Sequence, residues 1–246
     1  MTTASAIVIG VGARQGLGAA LCRRFAREGY HVFVAGRTAA KIEAVAAAIA
    51  ETGGSAEAIV TDATSEADVA ALFDRAFASG AGHEPPDLVV FNAGNNQRID
   101  FREVTAEQFE DFWRVGCFAG FLAGREAARR MVPLGRGTVL FTGASASLRG
   151  KPGFAQFSVA KAGLRMIAQC MARDYGQQGI HVGHVVIDGG IDGERIRTRN
   201  PDLVADRGED GLLDIDAIAE TYWHIHRQPR SAWAHEVDLR PFRESF

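Results

Sequence analysis

The sequence predicts an α/β fold: one doubly wound parallel sheet of about seven strands, with helices on both faces. Short apolar segments alternate with longer segments of helical periodicity throughout the 246 residues. The apolar segments are hydrophobic on both faces, as expected of strands that helices cover on each side. No stretch has the composition of a linker, a repeat or a low-complexity segment. We therefore expect a single domain over residues 1–246.

The first half of the chain alternates strictly between strand and helix. Thr38 and Ser65 stand where two of the helices begin, and both residue types are favoured N-caps. Glycines follow the end of the second helix, where a helix commonly stops. The predicted elements are a strand at 5–10, a helix at 17–30, a strand at 31–36, a helix at 38–54, a strand at 56–62, a helix at 65–80 and a strand at 87–94.

The second half continues the alternation with longer helices. The predicted elements are helices at 106–132 and 155–178, a strand between them at 137–143, a sixth strand at 180–188, a helix at 214–227 and a seventh strand at 235–241. A polar stretch at 190–213 interrupts the pattern. We interpret this stretch as a lid over a substrate site, because it follows directly on a buried strand.

Composition narrows the class of protein. The net charge of −3 argues against a nucleic-acid partner, because phosphate contacts need clustered positive charge; a mixed-sign run from Arg195 to Arg199 is interpreted as a solvated face. Cys22, Cys117 and Cys170 are far apart and lack metal-ligand spacing, so we expect no metal site. No apolar run approaches the ~20 residues of a membrane span, and no charged leader precedes an apolar core. We expect a cytoplasmic protein without a membrane partner.

A glycine-rich turn, "GVGARQGLG", joins the first strand to the first helix. Gly12, Gly16 and Gly18 give a G-x-x-x-G-x-G spacing, and Leu17 opens the helix. Glycines let the backbone approach a pyrophosphate, and the helix N-terminus offers free N–H groups and the positive end of its dipole. Glycines also make ordinary tight turns. In its strand–turn–helix setting, the motif predicts a dinucleotide cofactor.

The end of the second strand, "VAGRT", bears on the choice of nucleotide. An acidic residue there would hold a free ribose 2′-hydroxyl and repel a 2′-phosphate. Here Gly36 carries no charge, and the guanidinium of Arg37 can pair with a phosphate. Arg14 in the glycine turn is a second candidate for this contact. We predict NADP(H) in preference to NAD(H); the alternative is an arginine that only faces solvent.

Together these motifs resemble the short-chain dehydrogenase/reductase family. The resemblance rests on the glycine spacing, "TDAT" after the third strand, "FNAG" after the fourth and a lysine-bearing helix after the fifth, and it extends to about residue 190. It implies a Rossmann-like fold, a small-molecule substrate, and a homodimer or homotetramer that pairs through the helices at 106–132 and 155–178. It also implies further cofactor-binding residues: Asp62 and Ala63 at the adenine, Asn92, Ala93 and Gly94 along the cleft, and Gly189 and Ile191 after the sixth strand.

The family's catalytic side chains are an asparagine, a serine, a tyrosine and a lysine, and this chain departs from that set. Only the lysine matches clearly, as Lys161. Phe157 occupies the tyrosine position, Gly116 the asparagine position and Ala144 the serine position, with Ser145 as the next residue. By resemblance, Lys161 binds the nicotinamide ribose and takes part in catalysis. Ser145 is a candidate to orient the substrate oxygen; the alternative is a structural role in a turn or cap.

The replacement at position 157 changes the chemistry that is possible. A phenyl ring has no ionisable proton, so Phe157 is neither a general acid nor a general base. Lys161 lies four residues further on, so both side chains leave one helix face. The chain has only three lysines against 24 arginines, and a lysine retained here indicates a need for a compact ammonium group.

Two functions fit this sequence. The first is an NADP(H)-dependent oxidoreductase with a remodelled site, and the predicted lid favours it. The second is a non-catalytic NADP(H)-binding sensor or assembly protein, and the missing tyrosine favours it. A glycine stripe at Gly116, Gly120 and Gly124 predicts close packing of its helix onto the sheet or onto a partner helix, and we also expect it to let backbones approach in the homo-oligomer.

Overall fold

The computed structural model describes residues 3–78 and 82–244, and it confirms the predicted fold class. Seven parallel strands form one sheet in the order β3-β2-β1-β4-β5-β6-β9. The order reverses at β1, the arrangement that places a crevice at the carboxyl ends of the central strands. The strands are β1 (Ser5–Ile9), β2 (His31–Gly36), β3 (Ser55–Val60), β4 (Leu88–Phe91), β5 (Gly137–Thr142), β6 (Ile180–Ile187) and β9 (Glu236–Leu239).

Helices cover both faces of the sheet and bury a hydrophobic core on each. They are α1 (Leu17–Arg27), α2 (Ala39–Glu51), α3 (Glu66–Ala76), α4 (Ala106–Trp113), α5 (Ala119–Met131), α6 (Ala155–Tyr175) and α9 (Ile215–His226). One core packs α1, α2 and α9 around Phe25 and Tyr222. The other packs α3, α5 and α6 around Phe73, Phe91 and Phe141. Among the helices of the described residues, none is long and apolar enough to span a membrane.

Two predicted helix starts are found where expected, with different capping. Ser65 precedes α3, and its hydroxyl accepts a hydrogen bond from the backbone N–H of Asp68. Thr38 precedes α2 but makes no side-chain capping bond. The predicted extension of the helix to residues 79 and 80 lies outside the described residues.

The predicted helix at 106–132 is interrupted by a π-helical turn, Arg114–Phe118, between α4 and α5. Such turns often mark functional sites. Gly116 lies within it, and a Cβ atom there would come 2.9 Å from the Cβ of Ala160 on α6. Periodicity did not reveal the turn, because the extra residue changes the helix phase without changing its apolar character.

The glycine stripe packs inside the chain, onto Phe91 and Phe141 of the sheet and onto a neighbouring helix, as the sequence predicted. The stripe therefore does not face a partner subunit, which was the other role predicted for it. A Cβ on Gly120 would come 2.2 Å from Leu164 Cδ1, and one on Gly124 would come 2.6 Å from Met171 Sδ. Both neighbours belong to α6. The stripe therefore lets α5 lie close to α6 of the same subunit.

The segment predicted as a lid has secondary structure of its own. It contains α7 (Glu194–Arg199) and α8 (Pro201–Arg207), and two short strands, β7 (Ile191–Asp192) and β8 (Leu213–Asp214), pair in parallel. The N–H of Glu194 donates to the Gln15 carbonyl over 2.7 Å, and Arg195 donates to the Asn96 carbonyl over 2.7 Å. Helix α7 therefore bridges the glycine turn and the loop after β4.

Candidate active site

A cleft of about 1110 Å³ opens at the carboxyl ends of β1, β2, β4, β5 and β6. It is lined by the glycine turn, the loops that follow the strands, the start of α6, and the segment containing α7 and α8. All the predicted site residues line this cleft except Arg14. Arg14 is exposed at the outer side of the turn, where its carbonyl accepts a hydrogen bond from Arg23.

Backbone packing explains the glycine at the end of β2. A Cβ atom on Gly36 would come 2.2 Å from the Val11 carbonyl oxygen and 2.9 Å from Ile42 Cγ2. An acidic side chain at this position would force β2 away from the glycine turn. The absence of an acid at this position is therefore a consequence of close packing.

Positive charge lies at the end of the cleft beside β2. Arg37 is exposed and lines the cleft together with Lys41 from the first turn of α2. Nearby, Thr64 donates two hydrogen bonds to Asp62 Oδ1, over 2.9 Å from its N–H and 2.8 Å from its hydroxyl. Burial raises the pKa of Asp62, but these hydrogen bonds and the charge of Arg37 outweigh it and hold the pKa below its usual value.

Lys161 is the buried cation of the cleft. Its side chain is 5% exposed, and Nζ donates to the Thr142 carbonyl over 2.8 Å. A Cβ atom on Gly94 would come 3.3 Å from Nζ, so the ammonium lies against the "FNAG" loop. Burial lowers the pKa of Lys161 to about 8. Among the described residues, no carboxylate forms an ion pair with it.

The groups beside Lys161 are apolar or weakly polar. Phe157 is partly buried and lines the cleft one helical turn before the lysine. Ser145 also lines it, at the start of a 3₁₀ turn. Sequence reasoning missed Ser158, whose buried Oγ lines the cleft without a hydrogen-bond partner among the described residues. Its position next to Phe157 was the one available signal.

No tyrosine side chain of the described residues lies in the part of the cleft that contains Lys161 and Phe157. Tyr222 comes nearest, since its hydroxyl lies 2.8 Å from Thr142 Oγ1, on the residue whose carbonyl binds Lys161. It is completely buried under the sheet, and this burial raises its pKa well above the usual value. Tyr30 lies elsewhere, hydrogen-bonded to His226, and Tyr175 ends α6. None of the three lines the cleft.

Basic residues collect at the outer end of the cleft, which sequence reasoning missed. The run around Arg195 is exposed, as predicted for a solvated face, and its Arg195 and Arg199 also line the cleft. Arg98 and Lys151 line it from the loops after β4 and β5. The rarity of lysine was the sequence feature that could have pointed to this cleft, because the chain has only three lysines and all three line it.

The described residues suit a nicotinamide dinucleotide. Gly18 lets α1 pack closely on the end of β1, since a Cβ there would come 3.0 Å from the Gly10 carbonyl and 3.2 Å from Asn92 Nδ2. A Cβ on Gly12 would meet nothing within 4 Å, so this glycine leaves the cleft open beside the turn. Arg37 and Lys41 bring positive charge to the end of the cleft beside β2, and Lys161 brings a buried ammonium to its floor. Within residues 3–78 and 82–244, no group of three or more His, Cys, Asp or Glu side chains is arranged to hold a metal ion.

Comparison with known proteins agrees with this geometry. A family described as short chain dehydrogenase matches residues 6–202. The chain belongs to this family. Gluconate 5-dehydrogenase from Gluconobacter oxydans is 29% identical over 171 residues, which cover 70% of this chain and 66% of that protein. This chain thus aligns with slightly less than two thirds of that relative's length.

Solved structures extend the comparison to almost the whole chain. A short-chain dehydrogenase from Rhodopseudomonas palustris superposes with a TM-score of 0.82 at 37% identity, covering 97% of this chain and 99% of its own. A metagenomic short-chain oxidoreductase in complex with NADP superposes with a TM-score of 0.82 at 22% identity, covering 99% of each chain. The second likeness concerns the fold alone.

Proposed function

We propose that this protein is an NADP(H)-dependent oxidoreductase that acts on a CH–OH or C=O group through a remodelled site. The observation that carries the proposal is Lys161: a buried ammonium without a carboxylate partner among the described residues, at the floor of a cleft built for a dinucleotide. A buried charge without a partner lowers the stability of the folded protein, and groups whose pKa is shifted in this way cluster at functional sites.

Named residues take each part of the cofactor. Gly12, Gly16, Leu17 and Gly18 hold the pyrophosphate with backbone N–H groups at the start of α1. Arg37 and Lys41 pair with the 2′-phosphate, which favours NADP(H). The remaining contacts belong to Asp62 and Ala63 at the adenine, Asn92, Ala93 and Gly94 along the cleft, Lys161 at the nicotinamide ribose, and Gly189 and Ile191 below the lid.

The proton chemistry differs from that of a tyrosine enzyme. When bound, a nicotinamide dinucleotide supplies or accepts a hydride. Phe157 shields the reacting carbon from water but exchanges no proton. Lys161 is the source of the proton for the substrate oxygen, because its pKa of about 8 lets it hold or release a proton near neutral pH. The hydroxyl of Ser145 orients that oxygen from the opposite loop.

A second function rests on one observation. Phe157 lines the cleft where the family's tyrosine is expected, and no tyrosine of the described chain replaces it. A protein with intact cofactor contacts and no efficient proton donor suits a non-catalytic NADP(H) sensor or assembly protein. The two functions share the cofactor and differ in turnover.

The test separates cofactor binding from turnover. Calorimetry with NADPH measures binding, and the oxidation of NADPH is followed with a panel of ketones and aldehydes between pH 6 and 10. We expect turnover with a single ionisation near pH 8 that Lys161→Met abolishes and Lys161→Arg shifts upward. Failure to bind NADPH would contradict both functions. Binding without turnover of any compound would favour the sensor.

We further expect a homodimer or homotetramer, with the lid at 190–213 covering the substrate in each subunit. Large apolar side chains are exposed on the two helices named by the resemblance: Phe109, Trp113, Phe121 and Met166. Burying these side chains between subunits would remove an apolar surface from water. Sedimentation at micromolar concentration tests this, and a particle of 26.4 kDa would refute it.

A further inference from the structure

The outer end of the cleft carries four cations that no carboxylate neutralises in the described structure. They are Arg98, Lys151, Arg195 and Arg199. The other charged pairs of this region show the contrast, because Arg149 pairs with Asp188 over 2.9 Å and Arg207 with Glu244 over 3.1 Å. The excess of positive charge is therefore local, in a chain whose net charge is −3.

The loop that bears Arg98 is held in place from three sides. Arg195 donates to the Asn96 carbonyl over 2.7 Å, Gln156 donates to the Gln97 carbonyl over 2.8 Å, and the N–H of Ile99 donates to the Gly153 carbonyl over 2.9 Å. These three bonds fix the backbone on both sides of Arg98, whose exposed side chain lines the cleft. Such preorganisation reduces the entropy lost on binding.

The two arginines of the lid lie close enough for their positive charges to repel each other. Arg195 and Arg199 stand four residues apart on α7, and both line the cleft. Like charges at this spacing destabilise a helix. Loss of surrounding water and then the charge of Arg199 lower the pKa of Arg195. Between them, Arg197 faces elsewhere and pairs with Asp192 over 2.7 Å.

Large apolar side chains line the same cleft as the four cations. They are Phe154 just before α6, Phe157 on α6 and Leu203 on α8. A ligand held here contacts aromatic and aliphatic surface along its body and positive charge at its end. Together, the apolar contacts and the positive charge favour a ligand with an apolar body and a negatively charged end.

We infer that the substrate of this site is an organic anion: a molecule with an apolar body and a carboxylate or phosphate that Arg98 and Lys151 bind, with Arg195 and Arg199 above it in the lid. This inference rests on the proposed function and specifies its substrate class. The four cations are exposed, and a neutral alcohol or ketone would leave them without a counter-charge when it occupies the cleft. An anion neutralises them and draws the lid and the two loops together.

The test compares ligands that differ only in charge. Calorimetry on the NADPH-saturated protein measures binding of 4-acetylbenzoate, 4-acetylphenyl phosphate and neutral 4-acetylbenzamide. We expect at least one anion to bind about tenfold or more tightly than the amide, with an affinity that falls as NaCl is added. Equal affinity for both anions and the amide, or binding of neither anion, overturns the inference.

Matched variants identify the residues. Arg98→Met with Lys151→Met should lower the anion affinity about tenfold or more, whereas Arg102→Met should not, since Arg102 pairs with Asp100 outside the cleft. Arg199→Met is compared with Arg197→Met in the same way. A loss of anion affinity in the control variants equal to that in the test variants contradicts the assignment.

Two further measurements separate the possible failures. The anions are also titrated without NADPH, so the charge comparison remains readable even if the cofactor fails to bind. NADPH affinity is measured in Arg199→Met, because the cofactor's own pyrophosphate is the other anion near the lid. A weaker NADPH affinity with unchanged affinity for the anions overturns the role given to the lid arginines.

Discussion

The two ends of the cleft are built in different ways. The cofactor end is defined by backbone: a glycine turn, the close contact of Gly36 with the Val11 carbonyl, and the start of α1. The end that contains Lys161 is defined by side chains on loops and on α6, among them Phe157 and Ala144, at the positions where the resemblance leads us to expect a tyrosine and a serine. A site made of main-chain N–H groups restricts which residues fit. A site made of side chains can change its chemistry while the fold stays the same.

The largest effect is expected at Lys161, which belongs to both ends. Its pKa is about 8 in the folded protein and 10.5 when free, so below pH 8 folding carries the full cost of burying a charge. Between pH 8 and 10.5 the folded state loses the proton first, and stability rises with pH. Lys161→Met should therefore be more stable than the wild type at pH 7, by up to about 3 kcal/mol.

Urea unfolding from pH 7 to pH 10.5 measures this difference. The advantage of Lys161→Met should shrink across that window, whereas the exposed control Lys151→Met should show no such trend. A difference that stays constant with pH would show that the ammonium titrates normally in the folded state.

The reacting end is tested next by restoring the missing hydroxyl. Loss of a positioned acid or base typically costs ~10²–10⁴-fold in rate, so wild-type turnover of simple secondary alcohols should be very slow. Phe157→Tyr should raise it about a hundredfold, and not fully, because Gly116 and Ala144 are unchanged. Phe154→Tyr, which also adds a hydroxyl to the cleft wall, is the control. Equal gains in the two variants would refute the special position of residue 157.

The asparagine position should resist restoration. A Cβ on Gly116 would stand 2.9 Å from Ala160 Cβ, so Gly116→Asn overpacks the contact between the π-helical turn and α6. We expect a loss of about 2 kcal/mol in unfolding free energy. Adding Ala160→Gly should recover part of it, and Gly150→Asn, in open space, should cost little. A fully stable Gly116→Asn would mean that the two helices separate easily.

The smallest effect is expected at the end of the cleft beside β2, where we propose that one exposed side chain selects the nucleotide. Arg37→Ala should weaken NADPH binding about tenfold and leave NADH binding unchanged; exposure places the effect at the lower end for a charge-assisted pair. Arg14→Ala, outside the cleft wall, should bind NADPH as the wild type does. Equal losses in both variants would indicate general electrostatic attraction instead of a specific contact.

Sequence patterns predicted what depends on local regularity. The alternation of apolar and helical segments identified all seven strands of the sheet, including the last at Glu236–Leu239, and the glycine spacing located the cofactor turn. The pattern did not reveal the short helices α7 and α8, because helices of six and seven residues are too short to show a clear periodicity. The prediction that Arg14 lies in the cleft was wrong, because the spacing of residues in a turn does not specify the direction in which a side chain points.

The substrate end was the least predictable part. Arg98 and Arg195 are 97 positions apart along the chain, and only the fold brings both to the outer end of the cleft. Each looks like an ordinary surface arginine in its own segment. The direction of the glycine stripe was ambiguous for a similar reason, because a smooth helix face packs equally well against α6 or against another subunit.

The distribution of lysine has a practical consequence. Lys41, Lys151 and Lys161 are the only lysines of the chain, and all three line the cleft. Apart from the N-terminal amine, every amine-directed reagent therefore reacts at the site or not at all. Covalent labels and immobilisation resins of this kind compete directly with ligands, and protection of each lysine by an added compound, read by peptide mass spectrometry, maps where along the cleft that compound lies.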